Sequence, residues 1–286
     1  MRAALPARLP AVRATEQPPL FSEGIPSCLS AVAVYLWLPD YPERASWLTS
    51  EEAQLAEARL EYNGSKGSSA SMSWFEVRAT LVDWRLYGHY IVYFAVSVAY
   101  SSLSLFTPSI VDGLGYSSLQ AQLMTIPPWA VAYVFTVFVA FASDNYNARA
   151  FVSAACMVVG AAGFMASALL DPGRYIARYV CLIVACSGSF ACIAPLLGWL
   201  SGNLHSTSAI GFAIALNVSF GGPGQIVGVW IYRQDEQEQG YPTGHWVNVA
   251  MLLLGVVCVL VLREWYRREN REIEKGRRGD VPLWKL

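Results

Sequence analysis

The chain has 286 residues, 55% hydrophobic and 14% charged, where soluble globular domains carry about 25% charged residues. A mean hydropathy of +0.36 points to lipid as the main solvent. A net charge of −1 gives no basis for nucleic-acid binding. The six cysteines all lie in apolar runs without metal-ligand spacing, so they read as small buried hydrophobes and not as a disulfide framework or metal site.

Residues 1–19 hold Arg2, Arg8 and Arg13 among prolines, with no continuous apolar core. They fit neither a signal peptide nor a transit peptide and read as a disordered or non-native segment. An apolar run from Gly24 to Leu38 follows, with Glu23 at its mouth. It is short for a span, since a hydrocarbon core about 30 Å thick needs roughly 20 apolar residues. Residues 39–85 read as a soluble connector. It contains a helix from about Thr49 to Glu61, whose first turn carries Glu51 and Glu52 and so suits the helix dipole, followed by the polar NGSKGSSAS.

Six spans come next: Leu86 to Ile110, Leu119 to Ala142, Ala150 to Leu170, Tyr175 to Leu200, Ser206 to Tyr232, and His245 to Leu262. The tail, residues 263–286, is rich in Arg and Lys, which places it in the cytoplasm by the positive-inside tendency. Counting back through six spans puts the 39–85 connector on the same side. The architecture expected is an all-α polytopic membrane protein embedded in a lipid bilayer.

Several polar residues fall inside these spans. Tyr93, Ser97, Tyr100 and Ser104 share one face of the first. Such a stripe lines a water-filled cavity or packs against a neighbouring helix. His89 lies near the cytoplasmic end beside Tyr87 and Tyr90, and reads as an interfacial anchor rather than a proton relay. Pro127 and Pro128 interrupt the second span, as a gate or as a fixed kink. In the fifth, Asn217, Gly221, Gly224 and Gly228 share a face with Gln225 close by. Asn217 is read as substrate-facing and the glycines as packing or hinge. GGPGQIVG lacks the Lys-Ser/Thr ending of a phosphate loop. His89, His205 and His245 are dispersed, and the spans hold no carboxylate pair, metal-ligand set or nucleophile elbow, so an enzyme is not expected.

The stretch FSEGIPSCLSAVAVYLWLPDYPERASWLTSEEAQLAEARL resembles the junction after the sixth helix of fungal allantoate permease-type anion:cation symporters, within the major facilitator superfamily. The residues that carry the likeness are Glu23, Gly24, Pro26, Leu38, Pro39, Asp40, Pro42, Leu48, Thr49, Glu51, Glu52, Arg59 and Leu60. FTPSIVDGLGYSSLQAQLMTIPPW, FASDNYNAR and GYPTGHW match later connections in the family's order.

The resemblance implies a remnant sixth helix at residues 20–38 and a C-terminal six-helix bundle at 86–262, with the first five helices missing. It implies alternating-access transport of a small organic anion or vitamin (allantoate, nicotinate or pantothenate type), coupled to protons, without a cofactor, in the plasma membrane. Tyr93, Ser97, Tyr100, Ser104, Asn217 and Gln225 would then be substrate-binding. Asp144 and Arg149 would keep part of a cytoplasmic charge latch and join Pro127 and Pro128 in gating. The partner would be a missing N-terminal half or a dimer mate, and a non-transporting interaction protein is the alternative.

Overall fold

The computed structural model describes residues 18–38, 45, 47–62, 73–112, 120, 123–204, 207–276 and 283–286. Residues 1–17, the LPD-x-P turn at 39–44, the NGSKGSSAS stretch, the 113–119 loop and His205 lie outside them, so the readings made there rest on sequence. The chain divides into two units, residues 1–70 and residues 71–286.

In the first unit, α1 (Pro18–Trp37) runs through Pro26 and starts earlier than the Gly24–Leu38 run. Its 20 residues correspond to about 30 Å of helix. Cys28 is exposed there, unlike the buried hydrophobe expected. α2 (Ser50–Tyr62) opens on a reciprocal cap. Glu52 N–H donates to Thr49 Oγ1 at 3.4 Å, and Thr49 N–H donates to Glu52 Oε2 at 3.0 Å. The Thr49 N–H, and then its hydroxyl, hold the Glu52 carboxyl below the usual carboxylate range.

The second unit starts with a helix the sequence reading left as connector. α3 (Trp74–Val82) is set by a Ser73–Glu76 capping box and ends at Asp83. Six candidate spans follow, formed by α4 (Trp84–Asp112), α5 (Ile126–Tyr146), α6 (Arg149–Leu169), α7 (Tyr175–Ala191) with α8 (Ile193–Gly202), α9 (Thr207–Trp230) and α10 (Pro242–Glu274). Each is long and apolar enough to cross a membrane. α10 extends well past the predicted end at Leu262, so much of the basic tail is a continuation of the last span.

Two local departures have clear causes. The fourth span changes helix at Cys192. Pro195, in the first turn of α8, has no N–H to give the Ala191 carbonyl, so the ladder cannot run through. Pro127 and Pro128 sit in the first turn of α5, after a turn at Met124–Thr125. Amides in a first turn have no intrahelical partner to lose. These prolines therefore start a helix after the break at Met124–Thr125, and no ladder bond is lost at them.

The spans pack in two rows. α9 lies on α4, α4 touches α7, and α7 lies on α5; α10 and α6 stand behind, packed on α4 and α7 and on each other. The common core holds Val92, Val96, Leu103, Met157, Phe164, Leu182, Trp199 and Leu252. α5 and α9, the outer members of the front row, are only 22% buried in their apolar windows, against 61% for α4. The alternating connections bring the ends of α5, α8 and α10 and the starts of α4, α6 and α9 to one end of the bundle, here the tail end.

Candidate functional site

A close glycine seam runs between α4 and α9. A Cβ on Gly224 would stand 2.4 Å from the Phe94 carbonyl oxygen, and one on Gly228 2.5 Å from that of Val98. Only a missing side chain allows backbones this close. Gly221 meets Ser97 Oγ and the Tyr93 ring instead. The glycine face is thus a packing face, and it takes Asn217 with it. Asn217 is 3% exposed and its Oδ1 has no hydrogen-bond partner. The expectation of an amide open to substrate is not met within this half of the bundle. Gln225, on the other side of α9, is exposed.

The hydroxyl stripe of α4 divides accordingly. Ser97 is buried in the seam and Tyr93 lies half-buried against Gly221. Tyr100 turns the other way, 40% exposed, with its ring edge-on to Phe190 of α7 at 5.2 Å. Phe190 meets Trp129 of α5 at 4.8 Å. Ser104 is half-buried one turn beyond. Three helices of the front row therefore share an aromatic wall of Tyr100, Phe190 and Trp129, flanked by the hydroxyls of Tyr93 and Ser104. The stripe pointed to Tyr100. Phe190 carried no sequence signal, because an aromatic in an apolar run looks like any core residue.

At the tail end, Asp144 and Arg149 do come together. The guanidinium binds Asp144 Oδ1 through Nη2 at 2.8 Å and Nε at 3.1 Å, while Nη1 donates to the Gly198 carbonyl of α8 at 2.6 Å. Asn147, at φ 48°, closes α5 between them. The pair therefore ties the α5–α6 turn to α8. His89 departs from the anchor reading. It is 4% exposed, with its ring 4.6 Å from that of Trp199, because its face of α4 turns into the bundle.

The opposite end carries a buried polar chain that the sequence reading missed. Asn248 Nδ2 donates to Ser102 Oγ at 2.9 Å and to the Tyr232 hydroxyl at 3.4 Å. That hydroxyl lies 3.3 Å from His245 Nδ1, and His245 Nε2 lies 3.2 Å from Ser167 Oγ. With Asn248 donating to Tyr232, the tyrosine proton is directed to Nδ1 and the imidazole Nε2–H to Ser167, which is a neutral tautomer. Nearby, Arg178 Nη2 donates to the Gly240 carbonyl at 2.7 Å. Gly240 and Tyr241 both adopt positive φ, of 78° and 60°, ahead of Pro242 at the start of α10. GYPTGHW is thus the folded lid of this network. A cue did exist, since His245 and Asn248 are three apart on one face of an apolar helix. Among the described residues, no three His, Cys, Asp or Glu side chains converge as metal ligands.

The sequence profile described as Major Facilitator Superfamily matches residues 17–229. The chain is 56% identical over 266 residues to the MFS transporter prlL of a fungal species (strain NRRL 50135), covering 92% of this chain and 54% of that protein. It is 27% identical over 262 residues to the uncharacterized transporter C1683.12 of Schizosaccharomyces pombe, covering 90% and 53%. It is 26% identical over 258 residues to the major facilitator-type transporter hxnP of Emericella nidulans, covering 88% and 51%. The chain spans about half the length of these curated relatives. With the profile covering well over half of its residues, this multi-pass integral membrane protein belongs to the Major Facilitator Superfamily.

Proposed function

We propose that these residues form the C-terminal half of a proton-coupled carrier for a small organic anion or vitamin of the allantoate, nicotinate or pantothenate type, in the plasma membrane. The observation that carries the reading is the Tyr100–Phe190–Trp129 wall on the front row. Flat aromatic faces with hydroxyls beside them suit a planar carboxylate or amide, which needs stacking area and a few directed hydrogen bonds. Tyr93, Ser104 and Gln225 extend the polar rim, and Ser97 and Asn217 support it from the seam behind. Asp144 and Arg149 act as a latch at the tail end. α5 and α9 leave apolar faces for a facing half, whichever polypeptide supplies it, and substrate is held between the two.

Membrane vesicles carrying this chain, with and without a separately encoded N-terminal six-helix half from prlL, test this. Uptake of a radiolabelled panel of small carboxylates is expected only when both halves are present. It is expected to be faster at an external pH near 5 than near 7, and to fall about tenfold or more in Tyr100→Ala. Uptake by this chain alone, or none by the pair, would overturn the reading. A stable complex without uptake would favour the alternative, a membrane interaction protein that pairs with itself or with a full-length carrier.

A further inference from the structure

The last residues return to the bundle and enter a groove at its tail end. Asn270 of α10 holds Trp284 by both backbone groups: Trp284 N–H donates to Asn270 Oδ1 at 2.8 Å, and Asn270 Nδ2 donates to the Trp284 carbonyl at 2.8 Å. Asn203, just past α8, does the same for the next residue. Lys285 N–H donates to Asn203 Oδ1 at 2.7 Å, and Asn203 Nδ2 donates to the Lys285 carbonyl at 3.2 Å. The backbone groups of successive residues in an extended chain point to opposite sides. The two carboxamides therefore grip one strand from either side, each taking the place of a neighbouring strand. Trp199 Nε1 donates a second bond to the Lys285 carbonyl at 2.8 Å.

The Trp284 side chain has its own seat. The Arg85 guanidinium lies 4.3 Å from its ring centre, and the Tyr266 ring 5.6 Å away. The Lys285 chain crosses Gly202, with its Cδ 3.0 Å from where a Cβ would stand. Main-chain bonds on both sides, a side-chain seat and a glycine crossing together make a peptide-binding site rather than an accidental contact.

We propose that the Trp284–Leu286 segment is a releasable strap, and that the Asn203–Asn270 clamp is a peptide-docking site whose occupancy holds the end of α8 against α4 and α10. The segment joins three elements that otherwise meet there through Trp199, His89 and Tyr266. α8 is a short helix in its own right, because the chain breaks from α7 at Cys192. Arg149 bonds the Gly198 carbonyl of α8, and its guanidinium and Lys285 both lie against Gly202, so strap and latch meet on one face of that short helix. The claim does not depend on what the protein carries.

Hydrogen–deuterium exchange on the full chain in lipid nanodiscs tests it. In Trp284→Ala, exchange at Leu200–Asn203 is expected to rise about tenfold while α6 and α7 keep their protection. A synthetic peptide of residues 280–286, added in trans, is expected to restore protection in Trp284→Ala but not in the Asn203→Ala/Asn270→Ala double variant. Unchanged exchange at the end of α8 in Trp284→Ala would overturn the proposal. So would a rise spread evenly over all six spans that the peptide fails to reverse, since the segment would then be only part of the fold.

Discussion

Asn248 links Ser102 of α4 to Tyr232 at the end of α9, and Tyr232 links on to His245 and Ser167. Replacing it with leucine removes the donor at the centre, leaving the Ser102 hydroxyl to the Val98 and Ala99 carbonyls and the Tyr232 hydroxyl to His245 alone. Each hydrogen bond lost costs about 0.5–1.5 kcal/mol. Asn248→Leu is therefore expected to lower the thermal midpoint in mild detergent well beyond a lipid-facing control such as Val261→Ala. Gly240→Ala is expected to destabilise too, because φ is 78° there and the Arg178 guanidinium fills the space a methyl would need. At this scale the sequence was only partly legible. The spacing of Tyr93, Ser97, Tyr100 and Ser104 announced one polar face. It could not say that Ser97 would meet Gly221 while Tyr100 met Phe190, since the neighbours lie far along the chain. The network around Asn248 was hidden for the same reason: Ser102 is 146 residues away.

Among the elements, the start of α2 was readable because its cap is local chemistry, whereas the equally local Ser73–Glu76 box of α3 was passed over. The α2 cap makes a pH prediction. The Glu52 carboxyl is held below its ordinary range, so its contribution is present above the unfolded carboxylate value and is lost as pH falls through the lowered folded one. A peptide of residues 46–64 is expected to lose helix on acidification, by circular dichroism. The Thr49→Ala peptide should be less helical near neutrality and lose less on acidification. The prolines show why position matters as much as composition. Composition marks Pro127 and Pro128 as breakers, but only their position in the first turn decides whether a bond is lost. Pro127→Ala is accordingly expected to shift the thermal midpoint little. Where the extended chain folds back, the sequence was silent: Asn203 and Asn270 look like ordinary polar residues near helix ends until the tail is placed between them.

For the whole molecule, length and hydropathy were enough to find six spans, because a bilayer imposes one thickness on all of them. They could not tell which apolar faces meet lipid and which meet another six-helix half, since both surroundings accept the same side chains. The arginine-rich end of α10 sets an expectation for orientation. A fluorescent reporter fused after Leu286 should be protected from externally added protease in intact cells, and digestion without permeabilisation would reverse the assignment.

The glycine seam between α4 and α9 has a consequence that a genetic screen would read. A methyl at Gly221 collides with side chains, Ser97 and Tyr93, and a smaller residue opposite can yield. A methyl at Gly224 or Gly228 collides with main-chain oxygens that no codon change on α4 can remove. Second-site suppressors are therefore expected for Gly221→Ala, with Ser97→Gly foremost. Recovered Gly224→Ala and Gly228→Ala strains should be true revertants, and the two classes of allele would map which stretches of α4 approach through side chains and which through backbone.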